Sequence, residues 1–339
     1  MSPQLKRFAL LCCMAVIFSC SLLFRFPSTA RASGGTWQSF VFVSPAGNHP
    51  FFVYTPVNYH PGTPVPLMVM LHGCLQTPSD LAAGTQMDQL ADQKQFIVVY
   101  PQQTATFNAS SCWNWFLPAD QIRGAGEPSV IAGITQFVEQ TTSQWTIDAR
   151  RVYVTGISAG AAMSVIMGAT YPDIYAAIGV HSGTEYQASV SPLTAGSVLL
   201  FGGPNPSTQG RAALNAMGSH ARVVPTIVFH GTSDTTVAPI NGDQAVQQWM
   251  TTDKLASGGS YSASFGSPSS SINGQVSGGH SYRVRQWKDN GGNEVQEYWT
   301  VNGMGHAWSG GSSAGSFTDP QGPSATQAMY TFFINHPMP

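Results

Sequence analysis

The chain has 339 residues, 42% hydrophobic and 11% aromatic, enough to bury a sizeable core, which excludes disordered and collagen-like chains. Only 9% of residues are charged, against about 25% in an average soluble protein, so its polarity comes from Ser, Thr, Gln, Asn and backbone-rich Gly. The first 32 residues hold Lys6, Arg7, Arg25 and Arg31 and no acid, leaving ten basic and sixteen acidic groups beyond them, a balance that argues against nucleic acid as a partner.

In chain order, Lys6-Arg7, an apolar run from Phe8 to Phe24 and the small-residue site Ala30-Arg31-Ala32 predict a secretory signal peptide over 1–32. The expected location is therefore secreted, extracellular or periplasmic. Competing readings are an uncleaved membrane anchor, since the apolar run nears spanning length, and a lipoprotein site at Cys20. Cys12, Cys13 and Cys20 fall in this leader. Two cysteines remain, Cys74 and Cys112, and a pair in an exported chain predicts one disulfide; free thiols, with a reactive Cys74, are the alternative. The crosslink would stabilise by about 3–4 kcal/mol in the chain-entropy model.

Strand-like runs over 38–43 and 51–54 flank a Pro45/Gly47 turn and predict an opening antiparallel hairpin. Unbroken apolar runs over 67–71 and 96–100, separated by a helix from about 80 to 94, predict parallel strands covered on both faces. The alternation continues with a helix over 129–144, a strand over 152–155, a helix over 159–170 and strands over 176–180 and 226–229. Residues 256–279 turn to Ser, Gly and Asn, a surface loop or a pair of loosely specified strands. A hairpin over 282–287 and 295–301 and a closing helix over 324–335 complete the pattern. The fold class is α/β, a mostly parallel sheet flanked by helices, and residues 33–339 read as one catalytic domain.

Gly156-Ile157-Ser158-Ala159-Gly160 stands between the strand over 152–155 and a helix. In that context the two glycines permit a sharp strand-to-helix turn that lifts the Ser158 hydroxyl into solvent. A serine hydroxyl needs a base, and the base an acid to hold its tautomer. In this strand-helix arrangement the acid follows a later strand and the histidine the last, which nominates Asp234 and His306. Asp243 is the fallback acid, less suited because it enters a helix near Gln244. His230 and His181, at strand ends, read as packing or loop-capping residues. Backbone N–H groups of Ala159 and of Cys74, or less readily Leu75, are the expected oxyanion donors, so a Cys74–Cys112 bridge would pin the donor loop as well as stabilise. Trp113, Trp115, Phe116 and Trp308 are candidates for an apolar substrate cleft, with core packing as the alternative.

Five segments, Leu71-His72-Gly73-Cys74-Leu75-Gln76, Cys112-Trp113-Asn114-Trp115-Phe116, Gly156 to Gly160, His230 to Asp234 and Gly303-Met304-Gly305-His306-Ala307-Trp308, carry a resemblance. The chain resembles the secreted poly(3-hydroxybutyrate) depolymerase family of serine esterases, which adjoins feruloyl and acetylxylan esterases within the α/β-hydrolases. The resemblance implies an α/β-hydrolase fold, Ser158, Asp234 and His306 as the triad, Cys74 in the oxyanion hole and a Cys74–Cys112 bridge. It departs from polymer-degrading members that append a linker and a polymer-binding domain, since this chain ends at Pro339. Solid polyester is thus less expected as substrate than esters as such. The expected function is hydrolysis of hydroxyalkanoate polyester or its oligomers; feruloyl or acetylxylan esters are the runner-up, and a non-catalytic surface-binding protein the alternative of another class. No metal, organic cofactor or obligate protein partner is expected, since no Cys/His set has zinc spacing and no glycine loop suits phosphate.

Overall fold

Strands β1 (Thr36–Ser44) and β2 (Gly47–Thr55) form the expected antiparallel hairpin, Thr36 opposite Thr55 and Ser44 opposite Gly47. The structure, a computed structural model, describes residues 34–339; the signal peptide over 1–32, with its anchor and Cys20 alternatives, lies outside the described residues. Next come β3 (Val65–Leu71), α1 (Pro78–Thr85), α2 (Met87–Lys94) and β4 (Ile97–Pro101). The single helix expected over 80–94 is two. Gln86 takes a left-handed backbone conformation (φ 56°) that ends α1, and Gly84 just before it lets the C-terminal segment approach closely, for a Cβ there would meet Thr318 Cγ2 at 2.7 Å.

The chain continues through α3 (Gly126–Gln140), β5 (Ile147–Ile157), α4 (Ala159–Thr170), β6 (Ala177–His181), α5 (Pro192–Phe201) and α6 (Pro206–Met217). It closes with β7 (Thr226–Gly231), α7 (Ile240–Ala256), β8 (Ser270–Gln275), β9 (Ser281–Lys288), β10 (Glu294–Val301), β11 (Trp308–Ser309), β12 (Thr318–Asp319) and α8 (Ala325–Ile334). The helix expected over 129–144 starts and stops three to four residues earlier. The Ser/Gly/Asn stretch supplies one edge strand, β8, rather than a pair. Helices α5 and α6 occupy a region to which the sequence pattern assigned nothing. α5 leaves Leu193 93% and Phe201 79% exposed, so no polar outer face marks its 3.6-residue period.

Among the described residues the main sheet has ten strands in the order β1-β2-β4-β3-β5-β6-β7-β10-β9-β8. β4, β3, β5, β6, β7 and β10 pair in parallel, and the antiparallel β1–β2 and β9–β8 ribbons extend the two edges. Alternate side chains feed two cores, as the pleat requires: Leu67, Val69 and Leu71 face α3, α4, α6 and α7, whereas Met68 and Met70 face α1, α2 and α8. Helices on both faces and a parallel centre make this the α/β-hydrolase architecture. It places the carboxyl ends of β3, β5, β6, β7 and β10 along one edge, with Leu71 beside Gly156, Ile157 beside His181 and Val301 beside Gly231. That edge is where loops in such a sheet assemble a site.

Candidate active site

The turn from β5 into α4 puts Ser158 at φ 59°, ψ −123°, strained for a residue with a side chain. Close packing holds it there. A Cβ on Gly156 would meet Leu71 O at 2.4 Å and one on Gly160 the same oxygen at 2.1 Å, so both positions require glycine. The Ser158 N–H donates to His181 O at 2.9 Å, and all twelve residues of α4 are buried beneath it. The elbow is thus clamped between the ends of β3 and β6.

The loops after β7 and β10 are zipped together. Thr232 N–H donates to Val301 O, Ser233 N–H to Met304 O and Gly303 N–H to Thr232 Oγ1, while a Cβ on Gly231 would strike Met304 O. The buried Asp234 carboxylate is fully engaged: Oδ1 accepts the N–H groups of Thr236 and Val237, and Oδ2 accepts from His306 Nδ1 at 2.8 Å. Burial pushes this carboxyl up, but the His306 hydrogen bond and charge, the Val237 N–H and nearby His230 outweigh it and hold it below the usual carboxylate range. With Nδ1 donating to Asp234, the His306 Nε2 carries the lone pair, the tautomer a general base needs.

Ser158 and His306 share the wall of a 280 Å³ cavity, lined also by Gly73, Cys74, Leu75, Gln76, Ile157, Leu199, Thr236 and Phe317. No hydrogen bond joins Ser158 Oγ to the His306 ring; in sites of this kind that contact commonly tightens only in the complex with substrate. On the facing loop, Leu75 N–H is spent on Ser110 O and Gly73 N–H on Gln76 Oε1, which leaves the Cys74 N–H as the uncommitted donor after β3. The Ala159 N–H, first in α4, has no intrahelical partner by position. A disulfide joins Cys74 to Cys112. The Cys112 side of it is held by a buried network in which Gln103 Nε2 donates to Cys112 O and to Glu127, and Asn114 donates to both Glu127 oxygens. Burial and then the neighbouring Asp120 push the Glu127 carboxyl up to about 8, against those donors.

Other sequence candidates fall elsewhere. Asp243 sits in the first turn of α7 with its carboxylate 3.6 Å from Arg285, away from His306. His230 caps the acid loop through Val237 O, and His181 packs between Phe229 and Trp308 while its Nε2 accepts the Ser309 N–H. The aromatic cleft is corrected: Trp113, Trp115 and Trp308 are all buried and none lines the cavity. Trp113 tilts against His72 and Trp308 bonds Thr326 through its indole N–H, because burying a large ring under the sheet edge removes more apolar surface from water than lining a groove. Leu75, Leu199 and Phe317 supply the apolar lining instead. Of these, the sequence flagged Leu75 alone, as a backbone donor; a lone Phe directly after the Ser/Gly-rich run over 309–316 was the available signal for Phe317. Among the described residues no group of three His, Cys, Asp or Glu side chains is placed to hold a metal ion.

The family model described as esterase PHB depolymerase matches residues 53–263. Poly(3-hydroxyalkanoate) depolymerase C of Paucimonas lemoignei is 34% identical over 290 residues, covering 84% of this chain and 66% of that protein. Feruloyl esterase B of Neurospora crassa is 33% identical over 227 residues, 64% of this chain and 76% of its own length. The chain therefore spans just under two thirds of the Paucimonas relative. Among solved structures, acetyl xylan esterase from Aspergillus awamori superposes with a TM-score of 0.69 over 89% of this chain and 100% of its own, at 23% identity, a likeness of fold.

Proposed function

The chain belongs to the esterase PHB depolymerase family, and on that premise we propose that it is a secreted serine esterase hydrolysing esters of short aliphatic hydroxyacids, as polyester or its oligomers. The observation that carries the reading is the His306–Asp234 hydrogen bond of 2.8 Å beside the cavity that Ser158 shares. In the proposed reaction His306 Nε2 takes the Ser158 hydroxyl proton as Oγ attacks the ester carbonyl. Asp234 keeps the ring oriented and stabilises the imidazolium, and the Cys74 and Ala159 N–H groups hold the oxyanion. His306 returns the proton to the departing alcohol, then activates water to release the acid and restore Ser158.

The cavity supports the substrate class. Its walls are almost wholly apolar, which suits an uncharged aliphatic hydroxyacid unit. Next to Leu199 in the cavity wall, Leu200 and Phe201 stand exposed on α5, a helix without a charged residue, so an apolar surface adjoins the opening. The test follows acid release from hydroxybutyrate oligomers, amorphous poly(3-hydroxybutyrate) and methyl ferulate side by side, with Ser158→Ala as blank. The expected result is turnover of the hydroxybutyrate esters above ferulate and a fall of at least about 10³-fold in the variant. Preference for ferulate would move the substrate to plant-wall esters, and activity in Ser158→Ala equal to wild type would overturn the nucleophile.

A further inference from the structure

Phe317 is held in a backbone conformation that bulky residues avoid, and its own packing does not account for it. Its φ is 51°, in the left-handed region, and 42% of the residue is exposed, so only partial burial offsets the strain. Such strain persists only where the surroundings over-determine it, and it then marks a position that matters for something other than stability. The surroundings here are polar and specific. Ser316, just before the ring, donates its N–H and hydroxyl to the two oxygens of Asp80 on α1. Gln76 Nε2 bonds both Asp80 and Ser316 O, while Gln76 Oε1 accepts the Gly73 N–H. On the other side, Trp308 N–H donates to Phe317 O at 2.7 Å.

One amide side chain, Gln76, therefore ties the loop of the expected oxyanion donor to the strap that carries Phe317. The ring lines the cavity and meets the His306 imidazole edge-on, centroids 6.2 Å apart. We infer that Phe317, fixed by the Gln76–Asp80 clamp, is the specificity-determining wall of this cavity, limiting it to esters with short aliphatic chains. The inference deepens the esterase reading and rests on it.

The experiment uses two ester series on the purified protein: p-nitrophenyl esters from acetate to octanoate, and alkyl butyrates from methyl to octyl. The wild-type kcat/KM falls as one of the chains lengthens, and Phe317→Gly flattens that fall by about tenfold between the four- and eight-carbon members. Glycine adopts φ 51° without strain, so the variant keeps or raises the wild-type Tm. Asp80→Ala, which frees the strap but leaves the ring, flattens the same series to a smaller extent. Unchanged chain-length profiles in Phe317→Gly overturn the inference, as does a marked fall in its Tm, which would make the ring a packing residue. Ser158→Ala separates the two claims: if it turns over esters like wild type the esterase reading fails, and if it is silent while the Phe317→Gly profile is unchanged only this inference fails.

Discussion

The elbow at Ser158 and the strap at Phe317 face one cavity and each carries a left-handed non-glycine residue, but they are held on opposite terms. Ser158 is locked by backbone against backbone: Gly156 and Gly160 press on Leu71 O, and α4 below is buried throughout. Phe317 is locked by three polar side chains, Gln76, Asp80 and Ser316, on a segment open to solvent. Backbone packing in a close-packed core tolerates no adjustment, whereas a clamp of side chains reaching from the buried Gln76 to an exposed segment shifts with one substitution. On the proposed reading, the chemistry belongs to the rigid region and substrate size to the adjustable one.

The sharpest way to break this comparison lies in the rigid half. Asp234→Asn should cost about 10⁴-fold in kcat on a soluble butyrate ester by presenting the wrong His306 tautomer, while Asp243→Asn stays within about threefold. Steady-state kinetics decide it, and the reverse ranking would make Asp243 the acid. Next in size is the crosslink. Replacing Cys74 and Cys112 by Ser should remove about 3–4 kcal/mol of stability, a fall of roughly 10 °C in Tm, and lower kcat more than KM because the Cys74 donor loop loosens. Calorimetry with parallel kinetics reads both, and an unchanged kcat would make the bridge purely stabilising.

Smaller effects sharpen the adjustable side. Leu193→Ser with Phe201→Ser should cut adsorption to a polyester film severalfold and leave turnover of soluble oligomers within about twofold, since both side chains are exposed and neither lines the cavity. Equal losses on film and oligomer would make Leu193 and Phe201 part of the substrate site itself. The smallest effect is a matter of pH. Asp234 is held below the ordinary carboxylate value, so its charge contributes stability that is present above the unfolded value of about 3.9 and lost as pH falls through the lower folded one. The Tm gap between wild type and Asp234→Asn should be constant above about pH 5 and shrink below about pH 4; a gap that instead closes toward neutral pH would contradict this sign.

Much of the candidate site was legible in the sequence because its proposed parts lie at strand ends, and strand ends are marked by apolar runs giving way to glycine. Gly156 to Gly160, His230 to Asp234 and Gly303 to His306 each announce a turn at a sheet edge, and the structure brings Asp234 and His306 to 2.8 Å. The tryptophans read differently. Trp113, Trp115 and Trp308 lie close in sequence to the site and were expected to line a cleft, but nearness in sequence says nothing about which face of a loop is buried. α5 escaped because helix periodicity shows only when one face is polar, and its outer face is Leu and Phe.

What the sequence by itself determined is the parallel centre of the sheet and the order of Ser158, Asp234 and His306 along its carboxyl edge, since apolar periodicity and turn residues are local properties. Only the tertiary structure decided which side chains meet around Ser158. Leu75, Leu199 and Phe317 come from segments far apart in the chain, and no local pattern encodes their convergence. It is set by how α5 and the strap dock on the finished sheet, through contacts such as Gln76 to Ser316 that span 240 residues.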